Sequence, residues 1–308
     1  MHKANIKESK PRIGLALGSG SSRGWSHIGI IDALAGLDVA PDIVCGTSIG
    51  ALVGASYLAG NLSRLDAWVR SLTRIETAKF LEISPGFNGF VNTKRLHGFL
   101  NEHVARDDAM IEDFHKQYAA VSTDLASGRE VWFTRGPLIE AVWASISLPG
   151  LFPAINNGGR WLVDGGLVNP VPVSVCRALG AEIVIAVNLN GGIAGKHFEH
   201  ARKQTGQKNK VTDMVSDLVR EYTGNLFNSD KEDEQPPGLF DAIAGSVNIA
   251  QDRITRSRMA GDPPDIVLSP RLAHIGLLEF HRAGETIEEG QNCVRRMESE
   301  IRHLLEMT

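Results

Sequence analysis

The sequence predicts an α/β protein with a mainly parallel central sheet and helices on both faces. Two observations carry this expectation. Strand, glycine-bearing turn and helix follow one another twice between Ile13 and about Asn61, the order that lays strands down in parallel. "EIVIAVNL" (Glu182 to Leu189) is then an uninterrupted apolar run, the pattern of a strand covered on both faces.

Taken in order, "IGLAL" (Ile13 to Leu17) reads as a buried strand followed by a Gly/Ser-rich turn. "GWSHIGIIDALAGL" (Gly24 to Leu37) carries apolar residues at helical spacing. "DIVCG" is the next strand, and a helix follows the GTSIG turn to about Asn61. An amphipathic helix starts near Ser63, and Thr93 reads as the cap of another, "TKRLHGFLNEHV". "QYAAVSTDLASGREVWF" reads as two strands joined at Ser127-Gly128. A helix is expected over Pro137 to Ser145, and "RWLVDGG" as a strand ending in a turn. "DIVLSP" (Asp265 to Pro270) is the last expected strand, and one helix from about Glu279 to Leu305 closes the chain.

The segment Gly191 to Gly238 differs in composition, being rich in Gly, Lys, Gln, Asn and acids. Val211, Met214, Val215, Leu218, Val219, Tyr222 and Leu226 within it follow helical spacing. It reads as a polar, partly mobile insertion carrying one amphipathic helix, which docks on the core, meets a second subunit, or acts as a lid or lipid contact.

A chain of 308 residues, 43% apolar and 22% charged, has the balance of a globular enzyme rather than of a disordered or fibrous chain. A net charge of -4 gives no overall attraction to nucleic acid. The longest apolar stretch, Ala141 to Ile155, is too short to span a bilayer and holds Pro149, Gly150 and Pro153. "MHKANIKESKPR" lacks a signal-peptide apolar region. Cys45, Cys176 and Cys293 have neither a disulfide nor a zinc spacing. The expectation is a cytoplasmic protein without a transmembrane segment, compatible with contact at the inner membrane surface.

"GTSIG" (Gly46 to Gly50) fits G-x-S-x-G between strand and helix, the setting of a nucleophile elbow. Its glycines let neighbouring backbone approach a strained serine. A plain small-residue turn would have the same composition. "GSGSSRG" (Gly18 to Gly24) has three readings. Arg23 occupies the third glycine of a dinucleotide fingerprint, and the Gly-Lys-Ser/Thr of a phosphate loop is missing. An oxyanion hole, which needs adjacent N–H groups aimed at one point, remains. Both turns would open at the carboxyl edge of a parallel sheet. A Ser-His-Asp arrangement in the order Ser, Asp, His needs a histidine after the acid, and among His197, His200, His274, His281 and His303 the candidate is His274 in "LAHIG". Asp164, ending a strand at "DGG", offers a carboxylate at the same edge, although Asp-Gly-Gly is also an ordinary turn signal.

Together these three motifs, with "ASISLPGLFPAI" (Ala144 to Ile155) ahead of the aspartate, resemble the patatin-like phospholipase family. The likeness runs from about Ile13 to Leu189. It is greatest to the bacterial branch similar to neuropathy target esterase-type lysophospholipases. The resemblance implies a three-layer sandwich, taken as a single domain over 1–308, and no cofactor or metal. It implies a Ser-Asp dyad without histidine, with Ser48 as nucleophile and Asp164 as proton acceptor. Gly46, Thr47, Ile49 and Gly50 would form the elbow, and Gly165 and Gly166 the acid motif. Gly18, Ser19, Gly20, Ser21, Arg23 and Gly24 would form the oxyanion loop. The amides of Gly20 and Ser21 are the expected donors, with Ser19 next. Arg23 would either brace that loop or stand exposed. Ser19 and Ser21 stand where the family more often has glycine or alanine, a change that leaves the N–H groups in place. The implied partner is a lipid or long-chain ester, with Phe87, Phe90, Leu148, Leu151 and Phe152 as an acyl groove.

Overall fold

The structure is a computed structural model that describes residues 10–80, 93–191 and 239–306. One sheet organises it. Its strands are β1 (Ile13–Leu17), β2 (Ile43–Thr47), β3 (Gln117–Asp124), β4 (Glu130–Phe133), β5 (Ile155–Asn157), β6 (Arg160–Asp164), β7 (Ile183–Val187) and β8 (Ile266–Leu268). They run in the order β5-β6-β3-β2-β1-β7-β8, with β4 also on β3. The central pairings β1 with β2 and β7, β2 with β3, and β7 with β8 are parallel. Strands β4, β5 and β6 join antiparallel.

Strand β3 explains how two distant segments meet. Its residues 117–121 pair with Ile43 to Thr47 of β2, and its residues 122–124 pair with Asp164 to Leu162 of β6. Strand β4 pairs with residues 120–123 and so overlaps both, which leaves β2 and β6 to share the opposite edge. They lie end to end there. Thr47 is opposite Val121 and Asp164 opposite Ser122, so the chain leaving β2 at Ser48 emerges beside the end of β6.

Strand alternation sorts the core into two layers. Leu15, Leu17, Val44, Ile185 and Val187 face one apolar cluster, which also takes side chains from α1 (Ser26–Ala35), α2 (Ile49–Leu58), α3 (Leu62–Ser71), α5 (Thr93–His103) and α6 (Leu138–Ile146). Ala16, Ile43, Cys45, Ala119 and Ala186 face the other, covered by α7 (Val173–Ala178). The small residues on this second face let the short α7 approach closely. Helices on both faces of a mostly parallel sheet are the predicted fold class.

Several elements depart from the sequence reading. The Gly24 to Leu37 helix begins with a 3-10 turn, Ser21–Trp25, before α1. A short α4 (Arg74–Phe80) follows α3. The expected closing helix is three pieces, a 3-10 turn Phe280–Arg282, α9 (Ala283–Arg296) and α10 (Glu298–Glu306). A further helix, α8 (Leu239–Gly261), was not anticipated at all. Its buried residues Asn248, Gln251, Asp252 and Thr255 are polar while Ile249 is half exposed, the reverse of the usual amphipathic pattern. Apart from Gly191, the expected insertion at 191–238 and its helix lie outside the described residues.

Candidate active site

Ser48 stands between β2 and α2 with φ 56° and ψ -125°, a left-handed conformation that costs a non-glycine residue about 1–3 kcal/mol. The flanking glycines make the turn possible. A β-carbon on Gly46 would lie 2.4 Å from Ala51 Cα, and one on Gly50 2.1 Å from the Leu17 carbonyl oxygen. Ser145 Oγ accepts the Ser48 amide at 2.9 Å while donating to the Val121 carbonyl at 2.6 Å. Thr47 Oγ1 donates to the Asn169 carbonyl at 2.8 Å, tying the elbow to the turn that follows Asp164.

Ser48 Oγ donates to Asp164 Oδ2 at 2.5 Å. The other carboxylate oxygen, Oδ1, accepts the Gly166 amide at 2.6 Å. The backbone of Asp164 is held as well, its N–H on the Ser147 carbonyl and its own carbonyl on Thr123 Oγ1. Burial pushes the Asp164 carboxyl up to about 6, against the opposing pull of the Ser48 and Gly166 hydrogen bonds. No imidazole of the described residues lies between the two groups, which meet directly. His274 instead meets Glu285 at 2.6 Å in an ion-paired cluster with Arg282, and it does not line the cavity. Buried His27 donates from Nε2 to the Gly18 carbonyl at 2.8 Å, and desolvation lowers its pKa to about 4, so it stays neutral.

The Gly18 to Gly24 loop divides into roles that composition could not separate. The Gly18 amide donates to the Val187 carbonyl at 3.1 Å and the Ser19 amide to the Pro170 carbonyl at 2.8 Å. Both are consumed, which corrects the expectation that Ser19 offers a third donor and limits Gly18 to a structural part. The Gly20 and Ser21 amides have no acceptor among the described residues. Their direction follows from the planar trans peptide, in which C=O and N–H point oppositely. Asn190 Nδ2 holds the Ser19 carbonyl at 3.3 Å, and Arg23 holds the Gly20 carbonyl through both its backbone N–H and its Nε at 3.3 Å. The next two N–H groups therefore turn the other way.

Arg23 is fully buried and not idle. Besides Gly20 it reaches the Leu189 carbonyl at 3.5 Å and Asn248 Oδ1 at 3.0 Å, and desolvation lowers its pKa to about 10. Gly24 makes room for Ile49 of the elbow, whose Cγ2 would lie 2.2 Å from a β-carbon there. Ser21, at φ 53°, is a second strained residue, pinned through Oγ to the Leu277 carbonyl at 2.6 Å.

Ser19, Gly20, Ser21, Ser48 and Asp164 line a cleft of about 1210 Å³, a volume that includes space open to solvent. The remaining lining is largely apolar. Of the residues named for an acyl groove, Leu148, Leu151 and Phe152 line this cleft, while Phe87 and Phe90 lie outside the described residues. Trp25, Leu52, Trp68, Leu96, Phe99 and Phe280 also line it and were not singled out in the sequence, where each reads as ordinary core. Sequence reasoning also missed Ser145, Asn190, Asn248 and Gln251. Ser145 sits in the "ASISLPG" stretch and carried a signal; the other three carried none.

A family model described as Patatin-like phospholipase matches residues 15–177. The chain belongs to the patatin-like phospholipase family. An uncharacterized NTE family protein of Mycobacterium tuberculosis is 31% identical over 92% of this chain and 90% of the relative. Lysophospholipase NTE1 of Yarrowia lipolytica is 35% identical over 58% of this chain, and Patatin-like phospholipase domain-containing protein 6 of Homo sapiens 33% over 58%. The chain spans 12% and 13% of those two longer proteins. The crystal structure of VipD from Legionella pneumophila covers 95% of this chain and 77% of its own at 14% identity and a TM-score of 0.39. Within this patatin-like chain, no described helix is long and apolar enough to cross a membrane.

Proposed function

We propose that the chain is a serine acyl hydrolase that cleaves fatty-acyl ester bonds of phospholipids, lysophospholipids or related lipids through a Ser48-Asp164 dyad. The observation that carries this is the 2.5 Å hydrogen bond from Ser48 Oγ to a buried Asp164, both lining a largely apolar cleft. Family membership supports the lipid ester as substrate class.

In this mechanism Ser48 Oγ attacks the ester carbonyl carbon as its proton passes to Asp164 Oδ2. The oxygen that becomes negative is held by the Gly20 and Ser21 amides. The intermediate collapses, the alcohol leaves with the proton from Asp164, and an acyl-enzyme remains. Water then gives a proton to Asp164 as it attacks the acyl carbon, and Asp164 passes that proton to Ser48 Oγ as its bond to the acyl carbon breaks, which frees the fatty acid and restores both residues. A carboxylate of ordinary pKa is a weak base for an alcohol; burial brings Asp164 nearer the working pH. Charge stabilisation by the loop amides carries much of the remaining barrier.

Leu148, Leu151 and Phe152 contribute to the acyl wall. A nucleotide-binding role for the loop fits poorly, because Arg23 is buried on carbonyl and amide oxygens and cannot meet a phosphate. Ser48→Ala and Asp164→Ala should each abolish hydrolysis of long-chain p-nitrophenyl esters. Activity retained in either purified, folded variant overturns the dyad.

A further inference from the structure

Three consecutive carbonyls after the acid motif, those of Val168, Asn169 and Pro170, each accept a hydrogen bond from a different part of the molecule. Arg258 Nε of α8 reaches the first at 2.7 Å, Thr47 Oγ1 of the elbow the second at 2.8 Å, and the Ser19 amide the third at 2.8 Å. The same stretch folds back on the acid motif, where the Val168 and Asn169 amides share the Gly165 carbonyl. Elbow, acid turn and Gly18 to Gly24 loop therefore meet in one short piece of backbone, and none of its three residues lines the cleft.

Glu130 fixes that piece. It stands on β4 opposite Thr123, whose Oγ1 holds the Asp164 carbonyl at 2.8 Å. Glu130 Oε1 pairs with Arg258 Nη2, on the same arginine that holds Val168. Glu130 Oε2 accepts Asn169 Nδ2 at 3.0 Å and Trp132 Nε1 at 2.8 Å. One carboxylate thus orients both Arg258 and Asn169.

The state of Asn169 shows how firmly. Its side chain is completely buried, and its Oδ1 has no hydrogen-bond partner among the described residues. Turned over, the amide would present that oxygen to an anion with no proton to give. It therefore stays with Nδ2 on Glu130 and on Ser174 Oγ at 3.2 Å. A buried carbonyl left unpaired is costly, and the charge-assisted bond to Glu130 offsets that cost. A neutral amide at position 130 donates as well as accepts, so it would not hold Asn169 one way up.

We propose that Glu130 is a positioning residue for the dyad, holding the 168–170 backbone so that the Gly166 amide, the elbow and the Ser19 end of the loop keep their places around Ser48 and Asp164. It acts through Arg258 and Asn169 and does not line the cleft. The proposal rests on the acyl hydrolase reading above.

Glu130→Gln keeps the size of the side chain and removes its charge. Loss of a negative charge alone would ease ionisation of Asp164 and lower its pKa. Loss of the Gly166 amide from Asp164 Oδ1, now at 2.6 Å, would raise it. The sign of the change therefore separates positioning from electrostatics, and a purely structural role moves it neither way. The other ionisable groups around the site, Arg23 and His27 behind the loop and Asp252 with Arg256 on α8, are common to both chains.

The Asp164 carboxyl is titrated by NMR of its carboxyl carbon, assigned with Asp164→Asn. In parallel, kcat and KM for p-nitrophenyl oleate are measured between about pH 5 and 9, with melting curves to verify folding. In Glu130→Gln the titration and the acid limb of kcat/KM should both move up by about one pH unit. Above that limb kcat should fall about tenfold, with KM within about twofold of wild type. A titration that stays in place or moves down overturns the proposal, whatever the change in stability. Asn169→Leu removes the amide with little change in volume and none in charge, and it should give the same upward shift even if Glu130→Gln does not fold. The double variant should match Glu130→Gln, and additive losses overturn the route through Asn169. The titration needs no turnover, so an upward shift in a chain whose wild type hydrolyses nothing sinks the hydrolase reading alone.

Discussion

The elbow at Gly46–Gly50 and the helix α8 border the same cleft and are built from opposite materials. The elbow, like the Gly18–Gly24 loop beside it, is built on backbone: tight turns, a strained serine in each, and amides freed in the loop by anchoring the preceding carbonyls. Helix α8 borders the cleft with side chains, Asn248 and Gln251, carried on a regular helix. Backbone devices need glycine at close approaches, so they leave a local mark in the sequence. A side-chain device on a helix leaves none, because Asn and Gln on a helix read as a solvated face until something covers them. That difference explains why three corners were anticipated and α8 was not.

The comparison breaks first at the dyad. Asp164→Asn should lower turnover by roughly 10⁴, the scale seen when a catalytic carboxylate becomes an amide, in an assay with a long-chain p-nitrophenyl ester. A loss under tenfold would mean that the acid beside the elbow is a structural partner only. Next comes Arg23→Met, which removes the Nε bond to the Gly20 carbonyl and leaves the backbone N–H of residue 23 alone to set the direction of the Ser21 amide. A fall in kcat of about 10²–10³, the cost of one oxyanion donor, is expected, together with slower labelling of Ser48 by a fluorophosphonate. Unchanged labelling would separate the arginine from the loop's function.

Acid should act through Asp164. Its carboxyl titrates at about 6 in the folded chain, and the basic form is the one that accepts the proton, so kcat/KM should decline about tenfold per pH unit below that value. A profile flat from pH 7 to 5 would assign the base elsewhere. The same shift affects stability with a definite sign. An acid whose folded pKa is raised stabilises the fold fully while protonated, below its ordinary value near 3.8, and that contribution is lost as pH rises through about 6. Asp164→Asn should therefore be more stable than wild type at pH 8, by at most roughly 3 kcal/mol, with the gain vanishing near pH 4 in thermal melts. Smallest is Asn190→Ala, which removes one neutral hydrogen bond to the Ser19 carbonyl and one to Gln251. It should lower kcat about fivefold to tenfold with little change in KM.

Much of the fold was legible because the signals are local. Ile13–Leu17, Ile43–Thr47 and Ile183–Val187 are apolar runs between turn residues, and each forms a strand. The closing segment was less legible: Glu279 to Leu305 keeps one apolar stripe across a chain that breaks at Met297, and periodicity does not register a break that preserves the stripe. Site residues divide in the same way. Ser48 and Asp164 stand at glycine corners and could be named, whereas the roles within Gly18–Gly24 depended on carbonyls of Pro170, Val187 and Leu277 that no local pattern connects.

By itself the sequence determined the strand–turn–helix order, the three glycine corners and the residue types standing at them, because tight turns and buried strands constrain composition over a few neighbouring positions. Only the tertiary structure decided that β2 and β6 abut along one edge of β3, so that an alcohol and an acid 116 residues apart come within 2.5 Å. It also decided which amides stay free and which face of α8 is buried. The physical reason is common to all three: pairing register and burial are set by contacts between residues far apart in the chain, and local composition carries no record of them.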